Sequence, residues 1–306
     1  IIASSPEALR SLAGFSACVA TIGNFDGVHI GHARLLSLAA GRAHELQLPS
    51  VAITFSPHPA TLLTGSPHPL LCSFEQKVEF IAQCGIDAVL VLPFTKAFAM
   101  QTAAQFSQAA LDRGLHAQEL FVGYDFCMGS DRAPLAGHAG SCKVRQTAAV
   151  LHGNKPVSST RIRNDLAQGN LDSANVMLGR NFSIRGNVVH GAGRGGPMLG
   201  FPTANLSFSP YQVTPPPAVY ATSARIVDED GAWMPSVTSF CKNPTFGGDA
   251  LTMETHILDF SRNIYDMSLE VRFFREIRQE RRFESLQALA QQLGRDVKFR
   301  RMLDAP

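Results

Sequence analysis

Gly23-Asn24-Phe25-Asp26-Gly27-Val28-His29-Ile30-Gly31-His32 decides how the first half of this chain is read. An apolar run from Ala17 to Ile22 ends in this glycine-rich turn, and Leu35, Leu36, Leu38 and Ala39 follow at helix-face spacing. The pattern predicts a strand, a tight turn and a helix start. The free N–H groups and dipole of a helix start attract anions. Two histidines three residues apart share one helix face, where they can donate hydrogen bonds to a phosphate. Taken alone, the segment also fits a structural turn with capping histidines. It equally fits half of a metal site, since two histidines supply only two ligands. The strand–turn–helix context favours phosphate handling.

Working outward, Val51 to Phe55, Ala88 to Leu92, Leu120 to Val122 and Val144 to Val150 read as short buried strands. Ser73-Phe74-Glu75-Gln76 and Thr102-Ala103-Ala104-Gln105 have the capping-box pattern and open helices between them. Strands alternating with helices predict an α/β doubly wound parallel sheet, with ligands at the C-terminal ends of the strands. Two short helices follow, Arg161 to Gln168 and Leu171 to Leu178. After about residue 181 the rhythm changes. Val188-Val189, Val219 to Val227, Leu251 to Phe260 and Leu269 to Phe274 are strand-like, and Gly- and Pro-rich loops divide them. Strands without intervening helices predict an antiparallel sheet or barrel, and Ser285 to Leu303 reads as a closing helix. The boundary is expected near residue 180, giving domains 1–180 and 181–306.

The length of 306 residues agrees with two domains of roughly 100–200 residues each. With 45% hydrophobic and 17% charged residues, the chain is not disordered. A net charge of +2 argues against a dedicated nucleic-acid binder. No apolar run approaches the ~20 residues that span a bilayer, and the N-terminal segment lacks a signal-peptide pattern. The chain begins at Ile1 without Met, so a slightly shortened N-terminus is expected. The six cysteines form no Cys-x-x-Cys pair, which fits reduced thiols in a cytoplasmic protein.

A second segment, Val157-Ser158-Ser159-Thr160-Arg161-Ile162-Arg163, places hydroxyls at a helix start and arginines one turn in. Such a group can hold phosphate oxygens. By itself it also reads as an ordinary N-cap with two solvated arginines.

GNFDGVHIGH followed by VSSTRIR resembles the nucleotidyltransferases that carry His-x-Gly-His and Ser-Ser-Thr-x-x-Arg motifs. The longer wording is similar to the bifunctional riboflavin kinase/FAD synthetases. FSPHPATLL (55–63), FVGYDF (121–126), LGRNFSIRGNVVHGAGRGGPMLGFPTANL (178–206), METHILDF (253–260) and REIRQERRFESLQAL (275–289) resemble further family segments in the family's order. The resemblance implies a Rossmann-like nucleotidyltransferase sheet, then an antiparallel β-barrel with a terminal helix. It also implies phosphorylation of riboflavin by ATP to FMN, then AMP transfer from ATP to FMN, giving FAD and pyrophosphate.

By that resemblance, His29 and His32 contact the ATP phosphates, while Gly23, Asn24, Phe25, Asp26 and Gly27 shape the loop beneath them. Ser159, Thr160, Arg161 and Arg163 hold the triphosphate, and Asp125 lies near the flavin and metal. In the second domain, Thr203 and Asn205 are implied Mg²⁺ and phosphate ligands and Glu254 the general base. Gly191, Gly193, Gly200, Phe201 and Pro202 belong to the nucleotide loop. Arg278, Glu280 and Phe283 are implied flavin-side residues. The implied partners are riboflavin, FMN and ATP, without nucleic acid or membrane.

The second domain departs from the family wording. Ala218 stands where the family has Gly, and Ser239, Cys241 and Asn243 replace Asn, Gly and Arg. Asp266 replaces a Gly after Tyr265. A Cys at a former Gly is costly if the backbone there has positive φ, whereas Asp tolerates left-handed geometry. Two other functions stay open at this point. One is adenylyl transfer alone with a weakened kinase. The other is a non-catalytic flavin or nucleotide sensor.

Overall fold

The computed structural model describes residues 1–133, 140–191, 200–229, 231–242 and 251–303. The chain divides into two compact units, Ile1–Leu70 with Phe74–Ser159, and Leu71–Ser73 with Thr160–Pro306.

In the first unit, β1 (Ile2–Ala3), α1 (Pro6–Ala13), β2 (Cys18–Ile22), α2 (Ile30–Glu45), β3 (Ser50–Ser56), α3 (Pro59–Thr64), α4 (Phe74–Gln83) and β4 (Ala88–Pro93) follow in order. Then come α5 (Lys96–Ala99), α6 (Ala103–Phe106), β5 (Ala117–Val122), β6 (Lys143–Gln146) and a small hairpin of β7 (Leu151–His152) and β8 (Lys155–Pro156). The expected parallel sheet forms in the order β1-β4-β3-β2-β5-β6, with every neighbouring pair parallel. The strand at the middle of the sheet is buried on both faces, all five residues of β2, as covering by helices requires, whereas the edge strand β6 is Lys-Val-Arg-Gln and partly exposed. Thr102 caps α6 through the expected box with Gln105, but the helix then widens into a π-helix over Ser107–Leu115. Wider turns of this kind are rare and escape periodicity arguments.

Glu119 is the buried charge of this sheet, 6% exposed on β5. It accepts from Arg42 Nε at 3.1 Å and Nη2 at 3.0 Å, and from Arg145 Nε and Nη2. Arg145's hydrogen bonds, helped by Arg42 against the effect of burial, hold its carboxyl down at about 2. Its stabilisation is therefore complete above the ordinary carboxylate value and is lost as pH falls toward about 2. Glu119→Gln should lower the stability of this unit near neutrality by about 1 kcal/mol, since it removes the charge that Arg42 and Arg145 share, while an amide oxygen remains to accept and Arg42 keeps Glu45. Urea unfolding should show the deficit at pH 7 and little of it near pH 2.

The second unit begins with α7 (Ser159–Ala167) and α8 (Leu171–Leu178). β9 (Ser183–Val189), β10 (Ala204–Ser207), β11 (Ala218–Ile226), β12 (Met234–Lys242), β13 (Leu251–Ile257) and β14 (Ser268–Gln279) follow, then α9 (Leu286–Met302). The six strands close into an antiparallel barrel in the order β10-β13-β12-β11-β14-β9. Tyr220, Phe240 and Phe273 fill its interior, each fully buried. Ser236, Thr222, Thr238 and Thr255 satisfy one another inside it through hydroxyl contacts of 2.8–3.0 Å, so these polar groups are buried without loss of partners.

Ser285 caps α9 by accepting from Ala288 N at 3.1 Å. On that helix Arg300, 1% exposed, donates to the Thr222 carbonyl at 2.6 Å and to Ser223 Oγ at 2.9 Å. The β11–β14 register shifts between Ala221 and Thr222. Ladder pairing is disrupted there, and the guanidinium supplies a donor.

Of the departures noted in sequence, Asp266 has φ 64°, the left-handed geometry expected for a former glycine. Cys241 sits in the ladder of β12 opposite Thr252 and has no positive φ, so replacing Gly there strains no backbone. Asn243 lies outside the described residues, as does Gly193.

Candidate active site

In the first unit, β2 is the strand at which the chain reverses direction through the sheet, with β3 on one side and β5 on the other. Ligands of open α/β sheets gather at the C-terminal end of such a strand. Gly23–His29 leaves β2 there. Phe25 is fully buried with φ 49°, Gly27 has φ 74° and Val28 has φ 35°. Positive φ at a β-branched residue costs of order 1–3 kcal/mol and marks a loop held in shape by its surroundings. Thr54 Oγ1 donates to the Asn24 carbonyl at 3.2 Å, and Ser159 Oγ donates to the Asp26 carbonyl at 2.9 Å.

His29 is not inside the helix, as the spacing alone suggests, but is its N-cap. Its Nδ1 accepts from His32 N at 3.2 Å, which folds the ring back over the first turn. The two imidazoles stack at 3.7 Å, and Phe25 meets His32 edge-on at 5.3 Å. Because Nδ1 is an acceptor, the neutral His29 ring carries its proton on Nε2. Gly31 permits the arrangement: a Cβ there would lie 3.1 Å from His29 Cε1.

Beside the loop is a cavity of about 720 Å³, lined by Gly23, Asn24, Phe55, Phe94, Phe98, Asp125, Phe126 and Met128. Phe55, Phe94 and Phe98 pack mutually at 5.5–5.7 Å. Their faces suit a flat aromatic ligand. Lys77 Nζ donates to Thr54 Oγ1 and to the Phe55 carbonyl, each at 3.3 Å, which sets a cation at the end of β3. The sequence reading missed Lys77, because one lysine on an amphipathic helix has no local signature. Thr160, Arg161 and Arg163 lie on α7 in the second unit.

In the barrel, one row of side chains crosses five strand pairs: Val189, Asn205, Glu254, Ser239, Val219 and Arg278. Asn205 and Glu254 are direct cross-strand neighbours, so their side chains share a face about 5 Å apart at Cβ. Burial pushes the Glu254 carboxyl up. Thr203, two residues before Asn205, lies just outside β10. A Cβ on Gly191 would stand 2.2 Å from Asn205 Nδ2, so the missing side chain leaves space for that amide. Gly200 has φ 75° and opens the turn into Phe201 and Pro202. His256, two residues beyond Glu254, reaches that turn: its Nδ1 meets the Pro202 carbonyl at 2.8 Å and its ring meets Phe201 at 5.4 Å.

Arg278 is occupied by protein. Its Nε and Nη2 donate to the buried Asp296 carboxylate at 2.9–3.2 Å, and Nη1 donates to the Gln279 carbonyl at 3.2 Å. Phe283 lies 5.5 Å from this guanidinium. The Cys241 thiol lies 2.8 Å from Ser239 Oγ, and burial, with the nearby Glu280 charge, pushes it up to about 11. Neither Asp296 nor His256 was singled out in sequence; each partners a residue 18 or 54 positions away.

Residues 13–161 match the family model described as FAD synthetase, and residues 178–303 match the riboflavin kinase model. The bifunctional riboflavin kinase/FMN adenylyltransferase of Pseudomonas fluorescens is 39% identical over 94% of both chains. The protein of that name from Escherichia coli (strain K12) is 36% identical, over 91% of this chain and 90% of its own. A crystal structure from Streptococcus pneumoniae, described as a macrolide-efflux protein, superposes with TM-score 0.86 and 28% identity, covering 99% of both chains. Among the described residues, no helix of this chain is long and apolar enough to cross a membrane. With both family models matched in sequence order and relatives aligned along nearly their whole lengths, the chain belongs to the bifunctional riboflavin kinase/FMN adenylyltransferase family.

Proposed function

We propose that the chain makes FMN and then FAD. The observation that carries this is that both constellations are assembled: the stacked His29–His32 pair at the mouth of β2, and Asn205 facing Glu254 across the barrel wall. The functional division 1–180 and 181–306 is supported by the two matched ranges.

In the kinase step Glu254 takes the proton of the ribityl hydroxyl as its oxygen attacks the γ-phosphorus of ATP, and ADP leaves. Thr203 and Asn205 would offer a hydroxyl and an amide oxygen, hard neutral donors of the kind that can hold Mg²⁺. The space left by Gly191 beside the Asn205 amide fits that role. When bound, Mg²⁺ would neutralise phosphate charge. Gly191→Ala should displace the Asn205 amide and lower kinase kcat/KM for ATP by about tenfold or more, leaving adenylyl transfer unchanged. Separate assays of the two half-reactions check it.

In the adenylyl step an FMN phosphate oxygen attacks the α-phosphorus of ATP and pyrophosphate leaves, so no side-chain nucleophile is needed. The chain's part is positioning and charge stabilisation. His29, with its proton on Nε2, and His32 donate toward the phosphates from the start of α2. The phenylalanine-lined cavity takes the flavin ring, with Asp125 at its rim. Thr160, Arg161 and Arg163 keep the phosphate role that their motif implies. The cytoplasm, where ATP is available, is the proposed setting.

The test is a time course with riboflavin, ATP and Mg²⁺ in which riboflavin, FMN and FAD are separated. FMN appearing before FAD supports the reading. FAD formed only from supplied FMN, or flavin binding without product, refutes it.

A further inference from the structure

Thr203, the proposed ligand nearest the start of β10, has no ladder to hold it. The last registered pair of β10 with β13 is Ala204 with Thr255, so residues 200–203 enter the site as a turn. Pro202 has no N–H, and its carbonyl is the only backbone group through which a hydrogen bond can fix it. His256 Nδ1 lies 2.8 Å from that carbonyl, and the same imidazole meets the Phe201 ring edge-on at 5.4 Å and 73°. A carbonyl only accepts, so Nδ1 carries the proton of this bond. Continuing the ladder by one residue sets His256 opposite Thr203. Strand alternation sets His256 on the same face as Glu254.

We infer that His256 is a positioning residue of the riboflavin kinase reaction: it ties the turn carrying Thr203 to the strand carrying Glu254, so that phosphate-side ligand and base keep one geometry. It acts through Pro202 and Phe201 rather than on substrate. This rests on the kinase reading proposed above. The bond requires a donor at the Nδ1 position and nothing at Nε2. Asn places its amide nitrogen near the first of these positions, and Gln reaches the second.

The full chain carrying His256→Ala, His256→Asn or His256→Gln would be assayed for both half-reactions. Mg²⁺·ADP binding would be measured by calorimetry, and melting temperature recorded. His256→Ala and His256→Gln should lose about 10–100-fold in kinase kcat/KM for ATP and bind Mg²⁺·ADP more weakly. His256→Asn should recover most of both, and adenylyl transfer should be unchanged in all three. Equal loss in Asn and Gln variants, or loss that tracks melting temperature alone, would overturn the inference, as would full kinase activity in all three. If His256→Ala fails to fold, the Asn–Gln contrast still decides. A wild-type chain that makes no FMN from riboflavin would instead remove the kinase reading.

Discussion

Glu254→Gln is expected to slow riboflavin phosphorylation by about 10²–10⁴-fold while FMN adenylylation proceeds at its normal rate. The change preserves shape and hydrogen-bonding capacity but removes the ability to take a proton. Glu254 is half-buried on the barrel wall, directly opposite Asn205, and burial already disfavours its charge. An amide at that position carries no charge to desolvate, so the fold should not suffer. Loss of activity with an unchanged or raised melting temperature would separate chemistry from stability. Measured rates of FMN formation from riboflavin, and of FAD formation from FMN, give the two readouts. Undiminished kinase turnover in the variant would remove the base assignment.

His29→Ala should have the opposite selectivity, cutting FAD formation by roughly 10²–10³-fold and sparing the kinase, as loss of one donor to a developing charge commonly does. The substitution also removes a helix cap, which costs about 1 kcal/mol. The cap and the catalytic donor are different atoms of one ring: Nδ1 accepts from His32 N, and Nε2 carries the proton. His29→Asn separates them. Asn is a strong N-cap and should restore stability, yet its short amide does not reproduce the Nε2–H position. A variant that is stable but poor in FAD synthesis supports the donor role, and one that recovers FAD synthesis with the cap shows that capping was the whole effect.

The fold was legible where local rules and tertiary packing agree. The turn after β2, the helix Leu171–Leu178 and the capped helix after Ser285 follow from periodicity and caps, and the structure has them. Strand β12 (Met234–Lys242) was not legible, since Pro235 and its serines and threonines carry little apolar alternation. The Ser236 and Thr238 hydroxyls face the barrel interior and are satisfied there by other hydroxyls, an environment that no local pattern announces. The candidate site divides in the same way. His29, His32, Asn205 and Glu254 sit in contiguous motifs. Lys77, His256 and Asp296 matter through partners distant in sequence, and only the folded chain brings those partners together. Arg278 was read as a flavin-side residue, whereas its guanidinium is largely engaged by Asp296 and the Gln279 carbonyl.

The way the barrel closes bears on the order in which the two units form during synthesis. Its first strand, β9, pairs with its last, β14, as well as with β10. A ribosome delivers those partners far apart in time, and until β14 emerges the barrel has an open seam along β9. The parallel sheet needs nothing beyond β6, and domains generally fold as units, N-terminal first. The parallel sheet can therefore form on the nascent chain before any barrel strand emerges, whereas the barrel closes only when β14 is delivered, and α7 with Thr160, Arg161 and Arg163 belongs to that later unit. An interrupted product of translation would lack the barrel's closing strand and with it the seam that holds β9.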